Sequence, residues 1–275
     1  MQFFNKYSSI GVFDSGIGGL TVVKKIMSML PNENIIYFGD TARVPYGSKS
    51  NSTIIEYANQ DAKFLYNKNV KLIIVACNTA SSVALDNLRK QFDIPIIGMI
   101  EPGSKYALSK TKNGRVGVVG THSTINNEAY SKKLKQLNSE IEVFEEACPL
   151  FVPLAEEGWT DHKATELIAE EYLGKLLKKE IDTLVLGCTH YPVLIEVIQK
   201  IMGSEVTLID SGTAAALEVE TYLNGIELRN DSNQIGKHQY YVSDLPAKFK
   251  TIAERFLGTE LDHIEKIDID QIIKD

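Results

Sequence analysis

The sequence predicts an α/β fold of two similar α/β domains with mostly parallel central sheets. The domains are expected to be related by a pseudo-two-fold axis through internal duplication, with an active site in the cleft between them. Short apolar runs that end in small and polar residues are typical of buried parallel strands followed by helices. One such segment, Leu72–Ala80, contains Ala-Cys-Asn-Thr-Ala, and the same construction returns in Thr183–Pro192 as Gly-Cys-Thr-His-Tyr-Pro. Cys77 and Cys188 are therefore expected to occupy equivalent places at the ends of two strands.

The duplication extends beyond the two cysteine segments. Further pairs match in the same order and at nearly constant spacing: Ile10–Ser15 with Val116–Thr121, Ile96–Gly98 with Leu208–Asp210 and, loosely, Ile36–Phe38 with Val143–Glu145. Self-similarity of this kind indicates a repeated structural unit. We expect a discontinuous first domain at residues 1–98 plus 212–275 and a second domain at 99–211, because the tail has no counterpart in the repeat.

In the first half, strands alternate with helices. The expected strands are 9–13, Asn34–Phe38, the Cys77 strand and Ile94–Met99, and the expected helices are about Leu20–Leu30, Ile54–Asn67 and a segment from Ser81. Glycines in the turn Asp14–Leu20 suit close approach of the backbone to a ligand, and the helix start offers N–H groups to an anion. Its Gly-x-Gly-Gly spacing is not the dinucleotide-binding fingerprint. Loop Gly39–Ser48, with one basic and one aromatic residue, is expected to bind a ligand.

The second half repeats this alternation and ends in a tail. Its expected strands are Arg115–Gly120, the Cys188 strand and Ser204–Asp210, and its helices are about Ala164–Lys179 and Ser211–Leu223. Ile100–Gly103 is expected to cross between the halves, and Ala147–Trp159 to form a proline-flanked apolar loop closed by Glu156 and Glu157. In the tail, the sequence predicts a strand (Tyr240–Val242), a helix (Pro246–Phe256) and an extended segment (His263–Ile267). The tail is expected to pack on the first half.

Composition narrows the class of protein. The 275 residues are 44% hydrophobic and 24% charged, as in an ordinary globular protein, and the net charge of −7 argues against non-specific nucleic-acid binding. The first residues lack the apolar core of a signal peptide and no run approaches a membrane span, so a cytoplasmic location without membrane contact is expected. Three cysteines are too few for a disulfide scaffold. Cys148, among apolar neighbours, is predicted to be a buried structural cysteine.

The paired cysteines allow three chemistries. A redox pair is disfavoured because the Cys-x-x-Cys signature is absent. Cys77, Cys188 and His190 could form a Cys₂His zinc site, although their spacing is not typical of metal ligands. The third is proton transfer on two faces of one carbon, which requires two equivalent groups whose protonation states exchange at each turnover. A thiol with a reference pKa of about 8.5 suits this role if one thiolate faces one thiol. Asp14 and His190 are available as neighbours that move protons, and His122 is equally well a ligand contact or a helix cap.

Four motifs, taken together, resemble the glutamate racemase family. They are Asp14–Gly19, Asp40–Gly47, Ala76–Ala80 and Gly187–Pro192, and the similarity extends to residues 149–158 and 240–258. The resemblance implies two α/β domains with the substrate between them and a cofactor-independent enzyme that interconverts L- and D-glutamate for bacterial peptidoglycan. It also implies that Cys77 takes the α-proton from D-glutamate and Cys188 from L-glutamate, with Asp14 and His190 assisting. The implied substrate contacts are Asp14, Ser15, Tyr46, Gly47, Asn78, Thr79, Thr121, Glu157, Thr189 and His190.

Alternatives remain open at this point. An aspartate racemase would use the same cysteine pair, a zinc-dependent hydrolase would use the Cys₂His set, and a binding protein could keep the fold without turnover. The expected partner is glutamate as a small-molecule substrate, with no metal, nucleic acid or membrane, and a homodimer is considered for the assembly.

Overall fold

The computed structural model describes residues 4–245, 249–261 and 263–269, and their strands form two parallel sheets. The strands are Ile10–Asp14 (β1), Ile35–Gly39 (β2), Leu72–Val75 (β3), Ile96–Gly98 (β4), Arg115–Gly120 (β5), Glu142–Ala147 (β6), Thr183–Gly187 (β7), Thr207–Asp210 (β8), His238–Val242 (β9) and Glu265–Lys266 (β10). The first sheet has the order β10-β9-β2-β1-β3-β4 and the second has the order β6-β5-β7-β8.

Helices follow most of the strands. They are Leu20–Met29 (α1), Asn51–Asn67 (α2), Asn78–Val83 (α3), Leu85–Gln91 (α4), Ile100–Lys110 (α5), His122–Asn126 (α6), Ala129–Leu137 (α7), Phe151–Glu156 (α8), Lys163–Leu177 (α9), Ile195–Met202 (α10), Ser211–Gly225 (α11) and Phe249–Leu257 (α12). Short 3₁₀ turns lie at Tyr46–Ser48 and Tyr191–Leu194. In the described parts of the chain, no helix is both long and apolar enough to cross a membrane.

The two sheets confirm the predicted fold class and its duplication. Strands β2-β1-β3-β4 of the first sheet have the same order and direction as β6-β5-β7-β8 of the second. In each sheet the second strand of the repeat lies on one side of the first strand, and the third and fourth strands lie on its other side. Open α/β sheets bind ligands at such a switch point, beyond the carboxyl ends of the strands. Cys188 directly follows the third strand of its repeat, and Cys77 follows the equivalent strand after one residue.

Alternate residues of each strand pack into different cores. On β1 and β3, Val12 and Ile74 face a core shared with α1, α11 and the second sheet, whereas Phe13 and Val75 face a core shared with α2. Strands that are buried on both faces consist of continuous apolar residues, and for this reason they could be predicted from the sequence. The shared core contains residues of both sheets, including Leu186 of β7, and so joins the two halves.

Two helices lie where the sequence analysis expected loops. Residues 100–103, expected as a crossover, begin helix α5, and the expected loop 147–159 contains helix α8. Pro102 and Pro153 each occupy the third position of their helix. A proline is tolerated in the first turn because the N–H group it lacks would have no partner within the helix there. The prolines therefore mark helix starts in this chain rather than loops.

The tail joins the first sheet, as expected. Strand β9 pairs with β2 in parallel register, Tyr37 opposite Tyr240, and β10 pairs with β9. The expected helix Pro246–Phe256 corresponds to α12, which packs on α1, while residues 246–248 lie outside the described residues. The domain boundaries stay a prediction.

Candidate active site

A cavity of about 370 Å³ lies between the carboxyl ends of the two sheets. Most of the residues that the sequence analysis placed in the site line this cavity: Ser15, Tyr46, Gly47, Cys77, Asn78, Thr79, Thr121, Cys188, Thr189 and His190. They come from both halves of the duplication, because each half contributes the turn that follows its third strand. Asp14 and Glu157 are not among the lining residues.

Cys77 caps the helix that follows β3. Its Sγ accepts a hydrogen bond from the backbone N–H of Ala80 at 3.4 Å, and its side chain is buried with the sulfur facing the cavity. Burial raises the pKa of this thiol to about 12, and the charge of nearby Asp14 contributes in the same direction. In the resting site Cys77 is therefore a thiol, a group that can donate a proton.

Asp14 lies immediately behind the cavity at the end of β1. Its carboxylate accepts a hydrogen bond from the N–H of Gly16 at 3.0 Å and is 3.5 Å from Oγ1 of Thr189, which can donate to it. Burial raises the pKa of Asp14 although these donors act against it. A Cβ on Gly19 would come within 2.5 Å of Asp14 Cβ, so the glycine-rich turn allows the strand end and the helix start to approach this closely.

Cys188 belongs to a chain of three side chains in the second half. Its Sγ lies 3.9 Å from Nδ1 of His190, and Nε2 of His190 lies 2.9 Å from Oε1 of Glu156. Burial alone would lower the pKa of His190, but hydrogen bonds with Cys188 and Glu156 outweigh it and raise the pKa to about 10. An imidazolium in contact with a sulfur favours the thiolate. The second half therefore places a positive charge beside the Cys188 sulfur.

Hydroxyl and amide groups line the rest of the cavity. Oγ1 of Thr79 lies 2.9 Å from Oγ1 of Thr121 and 3.3 Å from Oγ1 of Thr124, which joins the two halves across the cleft. The amide of Asn78 is oriented by Tyr130, whose hydroxyl donates to Oδ1 at 2.7 Å, and by Ser211 at 3.3 Å from Nδ2. These groups can donate hydrogen bonds to carboxylates.

No lysine or arginine lines this cavity among the described residues. A negatively charged ligand would therefore be held by neutral hydroxyl, amide and backbone N–H donors together with the His190 ring. Neutral donors at helix starts bind anions without a permanent countercharge. Within the same described ranges, no three histidine, cysteine or acidic side chains are grouped as metal ligands would be.

Three features of the site were not predicted by the sequence analysis. Glu157 is exposed at the end of α8, whereas its neighbour Glu156 lines the cavity and bonds His190. The hydroxyl of Tyr46 points away from the cavity into a buried cluster with Asp40 and Asp61. Phe256 of α12 packs edge-on against His190 with ring centroids 5.4 Å apart. All three depend on contacts between residues distant in sequence, for which no local pattern exists.

The two remaining candidates have clear positions. His122 lines the cavity, is exposed and is the first residue of α6, for which Thr121 provides the cap by accepting from the N–H of Thr124. The side chain of Cys148 is fully buried outside the cavity, which confirms the prediction of a buried cysteine. Burial raises the pKa of Cys148 well above that of a free thiol.

Comparison with known proteins defines the class to which this fold and site belong. The chain belongs to the Asp/Glu/Hydantoin racemase family, which it matches over residues 10–219. It is similar to the glutamate racemase of Geobacter metallireducens, with 50% identity over 96% of this chain and 98% of that protein. The glutamate racemase of Chlorobaculum tepidum is 53% identical over 94% of this chain and 96% of its own length.

A solved structure shows the same similarity in three dimensions. The crystal structure of glutamate racemase from Francisella tularensis in complex with D-glutamate matches with a TM-score of 0.91 and 44% sequence identity, covering 97% of this chain and 99% of that one. These matches confirm the family resemblance and the fold class predicted from the sequence.

Proposed function

We propose that this protein is a glutamate racemase, an isomerase that interconverts L- and D-glutamate and supplies D-glutamate for peptidoglycan biosynthesis. The observation that carries the proposal is the pair of buried cysteines, one from each half of the duplication, that line a single cavity. The glutamate racemases described above are about 50% identical to this chain over nearly its full length. Their similarity favours this activity over the aspartate racemase and zinc hydrolase alternatives.

The proposed reaction uses the two sulfurs as base and acid. With L-glutamate bound, the Cys188 thiolate removes the proton from Cα, and the thiol of Cys77 delivers its own proton to the opposite face. Cys188 then holds a proton and Cys77 is the thiolate, so the enzyme is prepared for the reverse reaction with D-glutamate. The assignment of each cysteine to one enantiomer follows the family resemblance.

The neighbours of each sulfur are proposed to move its charge and proton. His190 with Glu156 stabilises the thiolate of Cys188, since the raised pKa of about 10 keeps the ring protonated at neutral pH. The charge of Asp14 raises the pKa of Cys77 and so cannot stabilise its thiolate, and the role of Asp14 is to accept or orient a proton near Cys77. We assign to Glu156, which bonds His190 at 2.9 Å, the role of orienting that ring, and the substrate contact at Glu157 stays a prediction.

Substrate binding is proposed to rely on neutral donors. Ser15, Asn78, Thr79, Thr121 and Thr189 offer hydroxyl, amide and backbone N–H groups to the two carboxylates. Tyr46 and Gly47 would contribute through their backbone, since the Tyr46 hydroxyl is engaged elsewhere.

An isotope experiment tests the activity. Purified, reduced protein incubated with L-glutamate in deuterated water without added cofactor should yield D-glutamate that carries deuterium at Cα. A variant with both Cys77→Ser and Cys188→Ser is the matched control and should yield none. Failure of the unaltered protein to form D-glutamate would overturn the proposal, and faster turnover of aspartate would assign it to the alternative substrate.

The cytoplasmic location that the sequence analysis expects and the homodimer that it considers stay predictions. Fractionation of the producing cell and sedimentation of the purified protein check them.

A further inference from the structure

A buried cluster of charged groups lies behind one wall of the cavity. Residues Val44–Ser48 form this wall, and beneath them the side chains of Asp40, Asp61 and Tyr46 are almost completely buried, with Arg43 only 12% exposed. The cluster holds two carboxyl groups and one guanidinium. Two buried carboxylates with a single cation would leave an uncompensated charge, which is costly in a protein interior.

The hydrogen bonds of Tyr46 show where an additional proton lies. Its phenol oxygen is 2.5 Å from Oδ2 of Asp40 and 2.9 Å from Oδ2 of Asp61. A phenol has one proton to donate, and an ionised carboxylate only accepts. Both contacts are hydrogen bonds only if one of the two carboxyl groups carries a proton and donates it to the phenol oxygen.

The other donors identify that carboxyl group. Asp40 accepts from Nε of Arg43 at 2.7 Å and from Oγ of Ser243 at 2.8 Å, in addition to the Tyr46 hydroxyl. Apart from the Tyr46 hydroxyl, the described residues give Asp61 a single donor, Nη2 of Arg43 at 3.1 Å from Oδ1, so Oδ2 can carry a proton. With Asp40 ionised, Arg43 charged and Asp61 neutral, the cluster has no net charge. Tyr46 then donates its proton to Asp40 and accepts the proton of Asp61.

The surroundings of Asp61 favour its neutral form. Burial raises the pKa of Asp61 well above its usual range, and the charge of Asp40 adds to this effect. The titratable groups that act on Asp61 are Tyr46 from the wall, Asp40 and Arg43 from the residues before the wall, and Asp14 from β1. Of these, only Arg43 is a cation, and it is shared with Asp40.

The cluster fixes the wall from two sides. The guanidinium of Arg43 lies 4.1 Å from the ring centre of Tyr57 on α2 and also bonds Gln60. Ser243, which follows β9 of the tail, accepts from the N–H of Ala42 at 2.9 Å while donating to Asp40. On the cavity side, a Cβ on Gly47 would come within 3.0 Å of Thr121, so the wall is set closely against the opposite half.

We propose that Asp61 is a positioning residue that holds a proton, donates it to Tyr46 and thereby keeps the wall Val44–Ser48 in the shape that binds substrate. Asp61 does not line the cavity and acts only through Tyr46. The inference deepens the proposed function, because the wall serves the same substrate site. Loss of this proton at high pH adds a buried negative charge beside Asp40 and displaces the wall.

Infrared spectroscopy tests the proton without relying on turnover. A difference spectrum of the unaltered protein minus Asp61→Asn at neutral pH should contain the carbonyl stretching band of a neutral carboxylic acid. A spectrum with only carboxylate bands would show that Asp61 is ionised and would overturn the proposal. If the protein does not racemise glutamate, the proposed function fails, yet this measurement still decides whether Asp61 holds a proton.

Kinetics test the positioning role. In the unaltered enzyme, KM should rise at alkaline pH as Asp61 loses its proton. Asp61→Asn keeps a donor for Tyr46 and an acceptor for Arg43, so it should fold, keep KM within about twofold at neutral pH, and lack this alkaline rise. Asp61→Ala removes the donor and should raise KM about tenfold with a smaller effect on kcat.

The matched control is Glu33→Gln, which alters another buried acid far from the cavity and should leave the alkaline rise in KM unchanged. If Asp61→Asn showed the same pH dependence of KM as the unaltered enzyme, the proposal would be wrong. If Asp61→Ala does not fold, Asp61→Asn and the infrared band still decide the question.

Discussion

At the scale of single residues, Cys77 and Cys188 occupy equivalent positions but have opposite surroundings. Cys77 lies beside the buried carboxyl group of Asp14, whereas Cys188 lies 3.9 Å from an imidazole ring whose pKa is raised to about 10. The two sulfurs of the duplication therefore meet different charges, an imidazolium at Cys188 and a carboxyl group at Cys77. This asymmetry predicts unequal chemical reactivity.

Iodoacetamide should label Cys188 faster than Cys77 in the absence of substrate. The reason is that the thiolate is the reactive species and the His190 imidazolium favours it at Cys188 alone. Mass spectrometry of peptides after a short exposure near pH 7 measures the two rates, and Cys148, which is fully buried, serves as an internal control that stays unlabelled. The preference should decline only as the pH approaches about 12, where the Cys77 thiol also ionises. Equal labelling at neutral pH would contradict the assignment.

Replacement of either sulfur should abolish racemisation without unfolding the protein. Cys77→Ser and Cys188→Ser each remove one of the two acid–base groups, and such a group contributes about 10²–10⁴-fold to a rate. We expect a loss of at least about 100-fold in kcat in both directions, measured by circular dichroism of glutamate, with an unchanged far-ultraviolet spectrum. A single variant with a near-normal rate in both directions would show that the two-base scheme is wrong.

At the scale of secondary-structure elements, most strands were predictable because each is a short run of apolar residues buried on both faces. Helices α5 and α8 were not, because Pro102 and Pro153 in their first turns look like loop signals in isolation. The cysteine turns were predictable for a similar local reason, since each places a sulfur directly after a strand. Glu156, by contrast, meets His190 only after the chain folds, so the sequence offered no reason to prefer it over Glu157.

Helix α12 contacts the Cys188 side of the site although it lies outside the duplicated segments. Phe256 packs on the His190 ring, and Nη1 of Arg255 donates to the carbonyl oxygen of Glu156 at 3.1 Å. Both contacts restrain the pair Glu156–His190. The tail is therefore expected to influence the activity of a site that none of its described residues lines.

Phe256→Ala should lower both stability and kcat. Removal of a buried phenylalanine costs about 3–5 kcal/mol of unfolding free energy, and the space it leaves allows the His190 ring to turn away from Cys188. Urea denaturation measures the first effect and steady-state kinetics the second.

Leu257→Ala is the control for this prediction. Leu257 is a buried residue of the same helix and has no ring contact with His190. It should lower stability while kcat stays within about twofold, because removing a core side chain costs stability through a cavity rather than through the site. If both variants lowered kcat equally, the effect would come from weaker packing of α12 as a whole and not from the contact between Phe256 and His190.

At the scale of the whole molecule, one end of the first sheet carries the candidate site and the other end carries a buried ion pair. The carboxyl ends of the strands face the cavity and collect Asp14, Cys77 and the wall segment Val44–Ser48. Near the amino ends of β2 and β3, a fully buried ion pair joins Lys71 to Glu33 at 2.5 Å. The separation of the two ends allows stability to be altered without altering the site.

The ion pair links segments of the chain that are distant in sequence. Nζ of Lys71 also donates to the carbonyl oxygens of Lys6 and Leu228, both at 2.8 Å, and Glu33 accepts from the N–H of Asn230 at 2.8 Å. Burial lowers the pKa of Lys71, and only the bond to Glu33 opposes this effect. The N-terminal segment, β3 and the loop that leads to β9 thus depend on a single carboxylate.

Glu33→Gln should destabilise the protein by about 3–5 kcal/mol, because it leaves the ammonium group of Lys71 buried without a countercharge. Urea denaturation measures the loss, while kcat and KM of the folded variant should stay within about twofold since the cavity lies at the other end of the sheet. Lys6→Ala is the matched control: it removes a half-exposed side chain and its surface ion pair with Asp231 but keeps the backbone carbonyl that Lys71 uses, so it should cost under about 1 kcal/mol. A variant at Glu33 with full stability but reduced turnover would show that the two ends of the sheet are coupled rather than independent.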